Sequence, residues 1–403
     1  MDGGMTLPSI LATPGPGGAP MQIGSKASAG GSSRIQHFVS ISGGKDSLAT
    51  ALLARERADR TGMTLRLINA DLGANEHQIT HDYIGYLETA LGLPIQRVRA
   101  DFAAEFAARR DTIQHHWSRE KRRKEHTPAC KARAQMLPPI VSNCRPSRER
   151  VAALKEWRRL CDCRERVSPP VPQPIIDRAK ELLVPTGEPF LDLCMLKGRF
   201  PSRTAQFCTE RLKLEPINAI THPLLENGTS IVSWLGERAE ESSKRAAKPV
   251  LDRIRWQSGA SLIRYRPIHG WSAADVFALA KRHGIKPNAL YLMGMGRVGC
   301  MPCVNGSKDE LAQIDRRFPE VIVRLAEWER IVALVSRRGE ATFFPAPMVP
   351  GDENDFTRAN ILAAVAWSRT SHGGKQFDLM QALAATIHEE DGAMCESAYG
   401  LCE

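Results

Sequence analysis

Six residues, Ser42-Gly43-Gly44-Lys45-Asp46-Ser47, constrain this chain more than any others because of what flanks them. The segment before them, His37 to Ile41, is short, apolar and β-branched. After them Leu48, Ala51, Leu52 and Ala58 recur at helical spacing until Gly62. The pattern is strand, glycine turn, helix. It repeats with Leu65 to Ala70 as strand, Asp71 to Glu76 as loop, and Ile79, Tyr83, Leu87 and Leu91 on one helix face that Gly92 and Pro94 close. Ile95 to Arg99 is a third strand. Strands alternating with helices of this length need right-handed crossovers and a parallel sheet. The pattern resumes with Ser230 to Leu235 as strand, Leu262 to Ile268 as a short extended segment, and a helix that Ser272 and Asp275 open as a capping box and that runs to Gly284. The expected fold class is α/β, a doubly wound parallel sheet whose ligands bind beyond the carboxyl ends of the strands.

The chemistry of the hexapeptide agrees with its place. Gly43 and Gly44 let the backbone approach a ligand closely, the helix amides point at it, and Lys45 adds a point charge, which together make a phosphate site. It is not a Walker A loop: Asp46 follows Lys45, and no glycine stands five residues before the lysine. The bland alternative is a tight structural turn.

Composition adds organisation. Residues 1–33 hold Gly, Pro, Ser and Ala without apolar periodicity and read as a disordered tail. The chain carries a net charge of +10, and residues 101–170 supply most of it, with 17 Lys/Arg against 9 Asp/Glu, including Lys121 to Lys124. That stretch belongs to an insertion, residues 103–190, expected to be basic and mostly helical. It reads either as a solvated helical face or as a nucleic-acid surface. The α/β domain is expected over 34–102 and 191–320, with a helical C-terminal region and a cysteine-containing tail over 321–403. No apolar run reaches the roughly 18 residues of a membrane span, and the N-terminus lacks the order of a signal peptide. A cytoplasmic protein that does not enter membranes is therefore expected.

In a reducing compartment the ten cysteines are thiols, ligands or catalysts rather than a disulfide framework. Cys300 and Cys303 form a CxxC after a Gly-rich loop, and Cys194 and Cys208 precede the resumed sheet. Four thiolates from two loops can close a tetrahedral site that accepts zinc or an iron–sulfur cluster. The CxxC alone can be a redox dithiol, and all four can be plain buried thiols. Cys130, Cys144, Cys161 and Cys163 with His126 are a second candidate zinc set, at spacings that match no standard finger. Trp271 and Tyr291 read as core or as a platform for a base.

The hexapeptide resembles the PP-loop of the adenine-nucleotide α-hydrolase superfamily, and later segments are similar to its phosphoadenosine phosphosulfate (PAPS) reductase branch. These are Asp71 to Glu76, Phe207 to Lys213, Gly236 to Ser242 with Arg245, Tyr265 to Ile268 leading to Trp271, and Tyr291 leading to Arg297 to Cys300. The resemblance covers about residues 36–330 with a gap over the insertion, and implies a Rossmann-like fold. It implies an adenine nucleotide, PAPS or ATP, with its phosphates on Ser42 to Ser47, and Asp71 and Glu76 near the ribose, the base or a Mg²⁺. Arg238 and Arg245 would face the anionic end of the substrate. It also implies a [4Fe-4S] cluster, in preference to zinc, on Cys208, Cys300 and Cys303. Cys194 is nominated as fourth ligand, because only Cys208 stands where cluster-bearing reductases have an adjacent pair. Cys402 in the tail would be the nucleophile on sulfur, although its surroundings only loosely echo the family's tail.

Three functions follow as expectations. The first is reduction of a sulfonucleotide to sulfite, with catalytic roles for Lys45, Arg238, Arg245 and Cys402 and a thioredoxin-like thiol donor as partner. The second keeps ATP as substrate: splitting between the α and β phosphates, with sulfur inserted into DNA or RNA held by the basic insertion. The third is a non-catalytic nucleotide sensor.

Overall fold

The structure is a computed structural model that describes residues 35–128, 151–153, 155–156, 163–203, 205–344 and 360–370, without the side chains of 123–126 and 163–166. Eight strands are described: β1 (Ile35–Ser40), β2 (Leu65–Asp71), β3 (Ile95–Arg99), β4 (Lys121–His126), β5 (Cys163–Ser168), β6 (Ser230–Trp234), β7 (Leu251–Arg255) and β8 (Ser261–Tyr265). Six form one sheet in the order β3-β2-β1-β6-β8-β7. All neighbours run parallel except the edge pair β7 and β8. The fold is α/β, as the strand and helix periodicities imply. The antiparallel β7 has no counterpart in the sequence reading. Its residues, Leu-Asp-Arg-Ile-Arg, carry three charges, which only a strand with one open edge can keep in water.

Helices cover both faces. On one, α1 (Lys45–Thr61), α2 (Gln78–Leu91) and α7 (Ala273–Arg282) enclose a core with Val39, Leu52, Ile84, Leu87, Trp234 and Tyr265. Trp234 and Tyr265 meet edge to face at 4.8 Å. Left-handed glycines, Gly62 and Gly92, end α1 and α2 as expected. On the other face α6 (Glu215–Glu226) seats Leu225 against Phe38 and Ile231.

A second core lies beside the sheet. It joins α3 (Ala103–Trp117), α4 (Gln173–Leu182) and α5 (Pro189–Lys197) to α9 (Lys308–Arg317), α10 (Pro319–Leu334) and α11 (Ile361–Ser368). Buried Glu329 on α10 holds it together by accepting from the backbone N–H groups of Phe343 at 2.7 Å and Ile361 at 2.9 Å. The insertion and the C-terminal helices thus share one core.

Lys121 to Lys124 lie on β4, paired antiparallel with β5, and not on a helix. Four charges in succession offer no apolar stripe at helical spacing for a core to cover, and the pairing with β5 makes the segment a strand. The tail 1–33, Cys402, Cys130, Cys144 and Cys161 lie outside the described residues. Of the second zinc set, His126 and Cys163 stand opposite each other in the β4–β5 register. Among the described residues no helix is long and apolar enough to cross a membrane.

Candidate active site

The winding direction of the sheet reverses between β1 and β6. From β1 the chain goes first to β2 and β3, then returns to β6 and β8 on the other side. A crevice opens at such a point beyond the strand ends, and here the segments entering it are Ile41 to Gly44 after β1 and Leu235 to Arg238 after β6.

Two glycines make the approach possible. Gly43 has φ +72°, and a Cβ there would meet Thr80 at 2.8 Å; at Gly236 a Cβ would meet the Asp46 carbonyl oxygen at 2.7 Å. The β6 segment therefore lies directly on the first turn of α1, whose N-terminus no side chain caps. The Ser47 hydroxyl ties the loop closed, accepting from the Ser42 N–H at 3.1 Å and donating to the Gly44 carbonyl at 2.9 Å. A short helix, α8 (Ala289–Leu292), braces it from outside: the Tyr291 hydroxyl accepts from the Lys45 N–H at 3.1 Å, and the Asn288 amide donates to the Gly43 carbonyl at 3.3 Å. Tyr291 is 6% exposed, so it supports the loop and offers no open face to a base.

Charge is concentrated on Asp46. Its carboxylate takes Lys45 Nζ at 3.2 Å and Arg238 Nε at 2.6 Å. The Arg238 side chain is 6% exposed and also contacts Glu240. Burial pushes the arginine's pKa down, but Asp46 outweighs it, so the guanidinium is held firmly charged. Behind it buried Arg266 donates to Glu237 at 2.7 Å and to Asp252 at 2.8 Å, which fixes the residue next to Arg238. Arg245 is more exposed and pairs with Glu241.

Asp71 and Glu76 part company. Asp71 accepts from the Gly73 N–H at 2.9 Å and from Arg99 at 3.2 Å, shaping the loop after β2. Glu76 turns inward, 5% exposed, with Oε2 lacking any hydrogen-bond partner. Burial pushes its carboxyl up to about 7, against the pull of Lys213. Glu76 also forms a β-bridge with Cys300, and the Met301 N–H donates to the Asn75 carbonyl at 2.9 Å. The CxxC segment is thereby bonded to the loop that leaves β2.

The cysteines form one wall of the second core. Cys300 hydrogen-bonds to Cys303. This bond, with Arg297 and the Asn305 N–H, holds the Cys303 thiol down at about 5 in spite of burial, while the same bond and burial push Cys300 up. The Cys300 sulfur in turn raises the pKa of Lys213, which lies on a π-helical turn, Glu210–Leu214, just after Cys208. Such turns mark functional sites. Burial pushes Cys208 and the fully enclosed Cys194 up. Among the described residues no group of three Cys, His, Asp or Glu side chains meets the geometry of a metal site, so the cluster expected on Cys194, Cys208, Cys300 and Cys303 finds no support here. Of the four thiols, Cys303 is the one held down, while its hydrogen bond and burial push Cys300 up and burial pushes Cys194 and Cys208 up.

Sequence reasoning missed Lys213 and Arg297 as the cations of the cysteine wall. Both stood inside quoted motifs, and only the fold shows that Arg297 binds Cys303 and Lys213 binds Cys300.

Residues 183–305, which carry Arg238, Tyr291 and both CxxC cysteines, match the family described as phosphoadenosine phosphosulfate reductase domain. Over that stretch, under a third of its length, the chain is similar to this family. An uncharacterized 37.8 kDa protein in the gpa 5′ region of Escherichia phage 186 is 42% identical over 380 residues, 91% of this chain and 96% of that protein. The adenosine 5′-phosphosulfate reductase of Neisseria meningitidis serogroup B is 30% identical over 117 residues, 28% of this chain and 44% of the enzyme. That of Allochromatium vinosum is 33% identical over 110 residues, 27% of this chain and 39% of the enzyme. The match thus spans less than half the length of these reductases. A solved PAPS reductase from Candida auris, in a phosphate complex, aligns at 14% identity and a TM-score of 0.32 over 66% of this chain and 82% of its own.

Proposed function

We propose that the protein reduces an adenine sulfonucleotide to sulfite. The observation that carries this reading is the junction of two parts: a phosphate-type loop beside the buried Arg238–Asp46 pair, and a Cys303 thiolate on a segment hydrogen-bonded to the neighbouring β2 loop. The substrate phosphates would lie on Ser42 to Ser47, and Lys45, Arg238 and Arg245 would neutralise the sulfate end.

The chemistry is a two-electron transfer from thiols. The Cys402 thiolate attacks the sulfate sulfur; an S–S bond forms, the S–O bond breaks, and the nucleotide leaves with the electron pair as a phosphate. Cys303 then attacks the Cys402 sulfur, and sulfite leaves with the S–S electron pair. Cys300, giving up its proton, displaces Cys402 to form the Cys300–Cys303 disulfide. An external thioredoxin-like dithiol reduces this and is itself oxidised. Neither Asp71 nor Glu76 is given a metal in this scheme.

The assay is sulfite release from PAPS and from adenosine 5′-phosphosulfate with a dithiol donor. Release that Lys45→Ala abolishes is the expected result, and no release with any thiol donor would refute the reading. A second reading has one observation in its favour, the cation density of residues 101–170. In it ATP is split between its α and β phosphates, and the activated nucleic acid accepts sulfur. Pyrophosphate release from ATP, dependent on added DNA or RNA, would select it.

A further inference from the structure

An open groove of about 1000 Å³ lies away from the loop 42–47, between the ends of α3, α5 and α10 and the start of β4. Eight Arg and Lys residues line it against two Glu. Three helices end at its rim, α3 at Trp117, α5 at Lys197 and α10 at Leu334. Each C-terminus offers a cation roughly half a negative charge. Arg122 pairs with Glu120, and the helix ends offset part of the rest, so the groove keeps a net positive charge.

The cations are built in, not merely exposed. Arg337 donates to the backbone carbonyls of His116 at 2.8 Å, Arg119 at 2.9 Å and Pro169 at 3.3 Å, so its guanidinium is fixed across the groove without a carboxylate. Half-buried Arg109 has its Nε buried with no hydrogen-bond partner, and burial lowers its pKa. A protein that keeps such a group beside further cations gains when a polyanion enters. The aromatic rings in the lining, Trp117, Phe200 and Phe343, are at most 5% exposed and have no free face for a base to stack on. A strand could be held there through its phosphates and not through its bases.

We infer that this groove binds nucleic acid through the sugar–phosphate backbone, without regard to sequence and with duplex held at least as tightly as single strand. The inference is independent of which nucleotide the loop at Lys45 takes. Backbone recognition by cations releases counterions, with a slope of about −0.9 per phosphate contacted on duplex DNA. About five contacts would lower affinity on the order of 500-fold between roughly 50 and 200 mM salt.

The test is fluorescence anisotropy of the full chain with labelled duplex and single-stranded oligonucleotides of two unrelated sequences across that salt range. It is repeated with Arg119→Glu, Lys197→Glu and Arg338→Glu combined, three exposed side chains outside the nucleotide site. The wild type should bind both sequences alike, with the steep salt dependence. The triple variant should bind more than tenfold more weakly at low salt and with a flatter slope, while its melting temperature and its affinity for a small adenine nucleotide stay unchanged. Absence of binding at about 50 mM salt, a clear preference for single strands or for one sequence, or unchanged affinity in the triple variant would each overturn the inference. None of these results bears on sulfite release, so the two readings fail separately.

Discussion

Asp46 and Arg238, 192 residues apart in the chain, meet at 2.6 Å across the reversal point of the sheet. The pair joins the loop after β1 to the segment after β6, and it places a fixed cation beside the phosphate-type turn. Removing one partner of a buried pair is more costly than never having had it, because the other charge is left in the interior. Arg238→Met should destabilise the protein by about 3 kcal/mol, at the lower end of the range for buried pairs, since Asp46 keeps some exposure and Lys45 remains. Urea unfolding measures this; a loss below about 0.5 kcal/mol, the scale of an exposed pair, would mean that the contact is not structural.

Gly236 sets how closely these segments approach. Gly236→Ala puts a methyl group 2.7 Å from a backbone oxygen of α1, where nothing flexible can yield. Affinity for an adenine nucleotide should fall at least tenfold. Gly270→Ala, at a position with open space around it, should leave affinity unchanged and serves as the control. Equal effects of the two substitutions would contradict the account of the crevice.

The Cys303 thiolate can be read by alkylation. Its hydrogen bond from Cys300, with help from Arg297, holds its pKa at about 5, whereas an ordinary thiol titrates near about 8.5. Iodoacetamide at pH 6 should modify one thiol ahead of the others, and peptide mapping should find it at Cys303. Arg297→Ala should move the midpoint of the rate profile upward. Uniform slow labelling at pH 6 would refute the thiolate assignment.

Glu76 gives stability a pH dependence of definite sign. Burial raises its folded-state pKa to about 7 from the ordinary 4.5 of a glutamate, so the folded chain holds its proton more tightly than the unfolded one. Stability should therefore fall as pH rises from about 4.5 through about 7 and level off above, by on the order of 3 kcal/mol at one pKa unit per 1.36 kcal/mol. Glu76→Gln should flatten that part of the profile, measured as denaturation midpoints at pH 5 and pH 8. An unchanged slope would assign the dependence to other groups.

For the cysteine wall the expectation concerns metal. A thiol–thiolate pair needs none, so an iron or zinc chelator should leave the melting temperature of anaerobically purified protein unchanged. A brown protein with absorbance near 400 nm, roughly where [4Fe-4S] centres absorb, that bleaches and loosens with chelator would restore a cluster on Cys194, Cys208, Cys300 and Cys303.

Much of the fold was legible because its signals are local. The strand, glycine turn and helix around Ser42 to Ser47 follow from periodicity, and Gly62 and Gly92 end their helices for a backbone reason that sequence displays. What stayed hidden was set by tertiary context. Leu251 to Arg255 is a strand only because Tyr265 and its neighbours offer an edge, and Lys121 to Lys124 is a strand only because β5 returns beside it. The site divides the same way. Lys45 and Arg238 are proposed from motifs that the sequence displays, whereas the inward turn of Glu76, the brace from Tyr291 and the hydrogen bond within the CxxC depend on how the folded segments meet.

The most direct test of the central claim is a calorimetric titration of PAPS and of ATP into the full-length protein and its Lys45→Ala variant. The account predicts binding of PAPS to the wild type, at least tenfold weaker binding to the variant, and less favourable binding of ATP. Equal affinity of wild type and variant for PAPS would place the nucleotide somewhere other than the loop between β1 and α1, and would contradict the account.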